Sequence, residues 1–162
     1  MSTRIRKFEP ADHAEWLRMR CALWPDCPLE EHHCEMANLM SRLAEQAVFV
    51  AVRPSGGLGG FIEVSLRSAA LGVESGPVGF VEGWFVDPDI RREGTGRKLI
   101  EAAEEWARER GCVEMASDTP VDNTASIAAH RAVGYQDTEH LVHFRKALFP
   151  RGPNEVADGS GI

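Results

Sequence analysis

Residues 84–97 read Trp84-Phe85-Val86-Asp87-Pro88-Asp89-Ile90-Arg91-Arg92-Glu93-Gly94-Thr95-Gly96-Arg97, an apolar strand that runs through a short turn into a basic, glycine-broken loop at the start of a helix. Glycines at 94 and 96 let backbone N–H groups come close to an anion without a Cβ in the way, and the helix that follows points its positive end at the same place. Arg91, Arg92 and Arg97 add cationic charge there. The spacing Arg91-x-x-Gly94-x-Gly96 is neither a Walker A loop nor a dinucleotide fingerprint, because the lysine-serine pair and the third glycine are both missing. The pattern suits a pyrophosphate held by backbone; the plain alternative is a strand-to-helix turn with solvated arginines.

Working outward, the helix predicted over about 96–110 carries Leu99, Ala103 and Trp106 on one face, broadened by Ile100 and Ala107, and is capped by Gly111. Upstream, 78–86 forms the strand that leads into the loop, after a Gly/Ser/Ala-rich connection over 68–76. Residues 47–52 and 59–66, joined by the turn Pro54-Ser55-Gly56-Gly57, make a hairpin. A first strand is expected over 5–8, a helix from Pro10-Ala11-Asp12 to a stop at Trp24-Pro25, and a second helix over 29–44. Downstream come a strand over 113–117, a last helix over 123–133 and a closing strand over 138–148 with irregular alternation. The order β-α-α-β-β-β-α-β-α-β is a mixed α/β (α+β) arrangement, a central sheet flanked by helices, in place of a regularly alternating doubly wound one. Residues 3–149 then form a single domain, and 150–162, rich in proline and glycine, a flexible tail.

The chain has 162 residues, 43% of them apolar and 27% charged, enough for one domain with a substantial core. No apolar run reaches the roughly 20 residues that span a bilayer, and the N-terminus lacks the apolar stretch of a signal peptide, so a cytoplasmic location is expected. The net charge of −7 argues against nucleic-acid or membrane partners and suits a cationic ligand. Four cysteines, at 21, 27, 34 and 112, form no Cys-x-x-Cys pair and are read as free thiols. The run His32-His33-Cys34 looks metal-like, but adjacent helical side chains diverge by about 100°, so a solvated face and no metal site are expected.

The basic loop resembles the acetyl-CoA loop of the GCN5-related N-acetyltransferases (GNAT). Leu23-Trp24-Pro25, Phe80-Val81-Glu82-Gly83-Trp84-Phe85-Val86 and Gly111-Cys112-Val113-Glu114-Met115-Ala116-Ser117-Asp118 sharpen this to a resemblance to the aminoglycoside 6′-N-acetyltransferases. It runs from about Ile5 to Lys146, through Asp122-Asn123-Thr124, His130-Arg131-Ala132-Val133-Gly134-Tyr135 and Asp137-Thr138-Glu139. The resemblance implies the GNAT fold, acetyl-CoA bound at a split between central strands, an aminoglycoside as second substrate and a homodimer. It further implies that the backbone of Trp84, Phe85 and Val86 pairs with the pantetheine amides, and that Arg92, Glu93, Gly94, Thr95, Gly96 and Arg97, with Arg91 beside them, cradle pyrophosphate. Asn123 either hydrogen-bonds the pantetheine arm or is simply the N-cap of the last helix, and the two roles are compatible.

On the acceptor side the resemblance implies that Glu82 and Asp118 hold ligand amines. Both fall near strand ends, and a polycationic sugar needs carboxylates to offset its lost hydration; the alternative for each is a structural salt bridge. Glu139 matches a further acid of that site, and Trp24 an aromatic wall or else a core plug between the first two helices. Where related enzymes place a tyrosine that protonates the departing thiolate, this chain has His130, which either replaces it or is a core or surface histidine. The family's His-Asp-Tyr-Val segment is replaced by Ser68-Ala69-Ala70-Leu71, which removes an aromatic contact. The implied reaction is direct attack of a neutral amine on the thioester, with a strand N–H stabilising the oxyanion and Cys112 merely packed. Another polyamine, amino sugar or protein amine as acceptor, or a non-catalytic acetyl-CoA sensor on the same fold, are the competing readings.

Overall fold

The computed structural model describes residues 3–70 and 76–149. Its five-stranded sheet runs in the order β1-β2-β3-β4-β5, with β1 Arg4–Lys7, β2 Gln46–Val52, β3 Leu58–Arg67, β4 Val78–Val86 and β5 Met115–Ser117. The first four strands pair antiparallel, and β5 pairs parallel to β4. The helices are α1 His13–Leu23, α2 Leu29–Ser41, α3 Thr95–Arg108 and α4 Thr124–Ala132.

Alternate residues of the central strands supply two cores, one on each face of the sheet. On one face Val48, Val50, Phe61 and Phe85 meet Trp16 and Met19 of α1 and Met36 and Leu39 of α2. On the other, Phe49, Ala51, Ile62 and Val64 receive the Leu99, Ile100, Ala103, Trp106 and Ala107 stripe of α3. With both faces covered, β2 and β3 are buried almost throughout, and their sequences read as apolar runs in which the alternation is muted.

The elements fall where the sequence places them, with ends that differ by a few residues, except at the C-terminal end. Residues 136–147 have no regular structure, so the strand expected over 138–148 does not close the sheet, and Leu141, Val142, Phe144 and Leu148 are exposed. Their alternation supplies apolar side chains, but a strand also needs a neighbour to take its backbone hydrogen bonds, and among the described residues 138–148 finds none. The expected tail over 150–162 lies outside the described residues, as does part of the connection over 68–76.

Charge pairs tie the helices and loops to the sheet. Asp12, at the entry to α1, accepts two bonds from Arg6 at 2.6 and 2.9 Å and one from the Glu9 N–H at 2.8 Å. At the end of β4, Asp87 accepts from Arg18 of α1 and from Arg53 of the β2–β3 turn, and Arg53 also grips Asp89. Hydrogen bonding from Arg6 holds the Asp12 carboxyl below the ordinary range against the opposing effect of burial. Burial raises Asp87, but the bonds from Arg18 and Arg53 outweigh it, and the Arg53 bond lowers Asp89. Carboxyls lowered in the folded state add stability above the unfolded aspartate pKa of about 3.9 and lose it as pH falls through and below that value. The urea midpoint is therefore expected to fall as pH drops from about 6 to about 3, and Asp87→Asn, less stable at neutral pH, to show a shallower fall. A midpoint that is flat in pH overturns this account of the ion pairs.

Candidate active site

β5 pairs with β4 only at Gly79, Phe80 and Val81, through Met115, Ala116 and Ser117. Beyond Val81 the two strands part, and among the described residues the edge of β4 formed by residues 82–86 has no strand beside it. On its other edge β4 stays paired with β3, but Val64 opposes Val81 while Glu63 opposes Gly83, which makes Glu82 the extra residue of a β-bulge. The bulge turns the Glu82 carboxylate out at the point where the sheet opens.

A cleft of about 640 Å³ lies in front of that point, walled by the α1–α2 connection and α2. Trp24, Glu82, Glu63, Glu35 and Asp26 line it, with Arg20 as its cation. Trp24 lies flat on β4 because residue 83 is glycine: a Cβ there would sit 2.5 Å from the indole Cη2. The indole also stacks under the Arg20 guanidinium, 4.7 Å from its carbon. Arg20 and Glu63 are both buried and joined at 2.5 Å, Trp16 Nε1 donates to the same carboxylate at 2.8 Å, and Arg20 reaches on to Glu35. Burial pushes the Glu63 carboxyl above the ordinary carboxylate range, and Arg20 and Trp16 pull it back.

Glu82 is not unpartnered. Arg67 of β3 grips it at 2.8 and 2.9 Å, Ser65 donates to it at 2.5 Å, and the guanidinium lies on the Phe80 ring. The structural salt bridge weighed for Glu82 therefore exists, in a half-exposed pair at the cleft rim. Asp118 follows β5 directly, exposed and without an ion pair among the described residues, but outside the lining of the cleft. Glu139 lies in the irregular segment over 136–147, exposed, and this chain does not carry it to the cleft.

The basic loop divides its duties differently from the expectation. Gly94, the N-cap of α3, has φ +86°, a left-handed turn that favours glycine. Gly96 serves packing: its missing side chain leaves room for the Trp84 indole, which a Cβ would approach to 3.0 Å. The first internal bond of α3 runs from Lys98 N–H to Gly94 C=O, so the N–H groups of the turn before it are available to an anion. Arg91 donates to the Val86 carbonyl at 2.8 Å and Arg97 to the Ala132 carbonyl at the end of α4, whereas Arg92, in a left-handed conformation, makes no such side-chain bond among the described residues. Asn123 is the N-cap of α4, accepting from Ser126 N–H at 3.1 Å.

His130 of α4 faces the parting of the strands. Its Nδ1 lies 2.8 Å from the Ser126 carbonyl, which only accepts, so Nδ1 carries the proton. Nε2 meets the Ser117 hydroxyl at 2.9 Å, and that hydroxyl is also 3.3 Å from the Val81 carbonyl where β4 and β5 separate. Trp84 and Tyr135 hold the imidazole by edge-on contacts at 5.3 and 5.6 Å.

An open central strand, a glycine-capped helix N-terminus and an acid-lined cleft thus occur together, and the profile of the Acetyltransferase (GNAT) family matches residues 12–135. The chain belongs to the GNAT acetyltransferase family. It is 47% identical over 146 residues to an aminoglycoside N(6')-acetyltransferase type 1 of Klebsiella aerogenes, covering 89% of this chain and 96% of that one. It superimposes with a TM-score of 0.84 on the aminoglycoside 6'-N-acetyltransferase AAC(6')-Ih of Acinetobacter baumannii, 34% identical, over 91% of this chain and 99% of the other. The same score, identity and coverage hold for AAC(6')-Iy in complex with the bisubstrate analogue CoA-S-monomethyl-acetylneamine.

Within this GNAT fold, five positions that shape the candidate site escaped the sequence reading. Arg67 and Ser65 lie 15 and 17 residues from Glu82, and only strand register brings them together. Ser117 had no mark beyond its place at a strand end. Gly83 did carry a signal, as a glycine inside a strand beside a large aromatic. His32, expected on a solvated face, is instead fully buried between α1 and α2. Because Gly96 faces Trp84, Gly96→Val overpacks the helix–sheet contact, and a destabilisation of about 1–3 kcal/mol is expected in urea unfolding. Unchanged stability would mean that the indole does not define the start of α3.

Proposed function

We propose that this chain is an aminoglycoside 6′-N-acetyltransferase that moves acetyl from acetyl-CoA to the 6′-amine of the drug. The observation that carries the reading is the parting of β4 and β5 beside an acid-lined cleft, in a chain whose relatives bear that activity in their names. Acetyl-CoA supplies the activated acetyl group. The backbone of Trp84, Phe85 and Val86 offers the groups that pair with the pantetheine amides and stabilise the oxyanion, and the start of α3 with Arg92 receives the pyrophosphate. Arg91 and Arg97 support that loop through the Val86 and Ala132 carbonyls.

Glu82 and Asp118 flank the opening and hold the cationic acceptor, and Trp24 forms its wall. An ammonium that binds Glu82 replaces Arg67, which keeps its seat on Phe80. Ser117 and His130 move the proton: His130 Nε2 takes the proton that the attacking amine gives up, and the imidazolium so formed, in place of the usual tyrosine, returns it through the Ser117 hydroxyl at the strand split to the leaving thiolate. Glu139 belongs to the acceptor site only if a second copy brings it there. A homodimer accords with the exposed Leu141, Val142, Phe144 and Leu148, which a monomer leaves in water.

The test is product analysis by mass spectrometry and NMR with kanamycin-type drugs that bear a 6′-amine. Glu82→Gln and Asp118→Asn are expected to lower kcat/KM with coenzyme A affinity retained, since a desolvated ammonium left unpaired costs on the order of 2–5 kcal/mol. His130→Phe and Ser117→Ala are expected to lower kcat together, by roughly 10²-fold for a general acid. Acetylation at a ring amine, or normal kinetics in both carboxylate variants, defeats the acceptor assignment. Sedimentation equilibrium is expected to give twice the chain mass, and Phe144→Glu to shift it toward one; a monomeric parent rules the dimer out.

A further inference from the structure

Three ligand atoms of the right kinds meet in the wall of the cleft: one of Cys27 Sγ, one ring nitrogen of His32 and one carboxylate oxygen of Glu35 lie within 4.8 Å of one another. Cys27 stands in the turn before α2, and His32 and Glu35 are three apart on α2, so they share a helix face in a way that the neighbouring pair His32-His33 does not. His32 is wholly buried, and its Nε2 has no hydrogen-bond partner among the described residues. A buried polar nitrogen left without a partner is costly and rare. Its other nitrogen, Nδ1, has among the described residues one long contact, 3.4 Å from Arg20 Nε.

We infer that Cys27, His32 and Glu35 form a site for one divalent cation of the zinc class, and that the filled site excludes the acceptor from the cleft. Sulfur, imidazole nitrogen and carboxylate oxygen are a mixed set that suits zinc, whose bonds of about 2.0–2.3 Å place tetrahedral ligands roughly 3.3–3.8 Å apart. The three atoms need to close by about 1 Å to reach that geometry. Binding releases the Cys27 thiol proton to solvent, frees Glu35 from Arg20 and ends the long Arg20–His32 contact, since a neutral imidazole has one lone pair to give. Arg20 keeps Glu63 as its partner throughout. Asp26, Glu63 and Glu82 also line the cleft, so a cation gains from the surroundings as well as from its ligands. A water completes the coordination of the ion. Filling the site adds a net charge of +1 to this wall, the ion's two charges less the released thiol proton, and engages the Glu35 carboxylate that otherwise faces the cleft, so a cationic acceptor is opposed at close range.

Titration of the reduced, metal-free protein with Co²⁺ alone tests the site, because a thiolate-to-cobalt charge-transfer band reports sulfur coordination. The band is expected in the parent and in Cys34→Ser, and to be lost in Cys27→Ser. Equilibrium dialysis with Zn²⁺ is expected to give one ion per chain, held at least about 10–100-fold more weakly in Glu35→Gln. No saturable binding, or a band that persists in Cys27→Ser, overturns the site. Inhibition is read as acetylated product by mass spectrometry, with each variant compared with its own metal-free rate. Zn²⁺ is expected to raise KM for the amine and not for acetyl-CoA in the parent, with the effect lost in Cys27→Ser; binding without that competition overturns the exclusion. The binding measurements use no acceptor, so their failure is separate from failure of the aminoglycoside assignment.

Discussion

β5 accompanies β4 for three residues and then leaves it, so the backbone of β4 beyond Val81 presents hydrogen-bonding groups to an opening where a sheet normally presents them to a neighbour. Such groups must be satisfied by a ligand or by water. The rest of the site is arranged around that gap. The bulge at Glu82 sets a carboxylate in the cleft lining beside it, Gly83 lets Trp24 lie against β4, α3 starts against Trp84, and α4 brings His130 to Ser117 at the split. Small residues matter here because two backbones and two indoles converge: Gly83 under Trp24 and Gly96 over Trp84 are the places where a side chain would push the walls apart.

The floor of the cleft is held by charge that water does not reach. Arg20 and Glu63 are both buried, and the bonds from Trp16 to Glu63 and from Arg20 to Glu35 satisfy what the pair leaves over. A buried ion pair is weak support for stability in itself, but loss of one partner strands the other in a low-dielectric setting. Its value lies in geometry: Arg20 fixes the Trp24 ring from above while Glu63 ties α1 to β3, so helix, wall and sheet keep one spacing.

Much of this was legible in the chain. The change from an apolar strand to an amphipathic helix, punctuated by Gly94 and Gly96, located β4, the loop and α3; of the two acids expected near strand ends, Glu82 lies in the middle of β4, where the bulge brings it to the cleft, and Asp118, which does follow the end of β5, lies outside the cleft lining. The parts that were not legible depend on partners far away in sequence. Nothing near Glu82 announces Arg67, because cross-strand register pairs them, and the His32-His33-Cys34 run reads as polar although helix packing buries its first member. The segment over 138–148 shows the opposite failure. Its apolar alternation is real, but alternation describes side chains, and a strand exists only where another backbone accepts its hydrogen bonds.

The Arg67–Glu82 contact means that the rim of the cleft arrives with its own counter-ion already seated. Under the proposed function, entry of an ammonium at Glu82 is an exchange of one cation for another, with little net change in local charge. An empty acidic cleft would select by total charge and lose its grip as salt screens it. An exchange selects by difference, favouring the cation whose shape and hydration suit the bulged carboxylate better than a guanidinium does, and such a difference is far less sensitive to ionic strength. The arginine thereby sets the threshold an incoming amine has to exceed, and it does so without touching the acetyl donor.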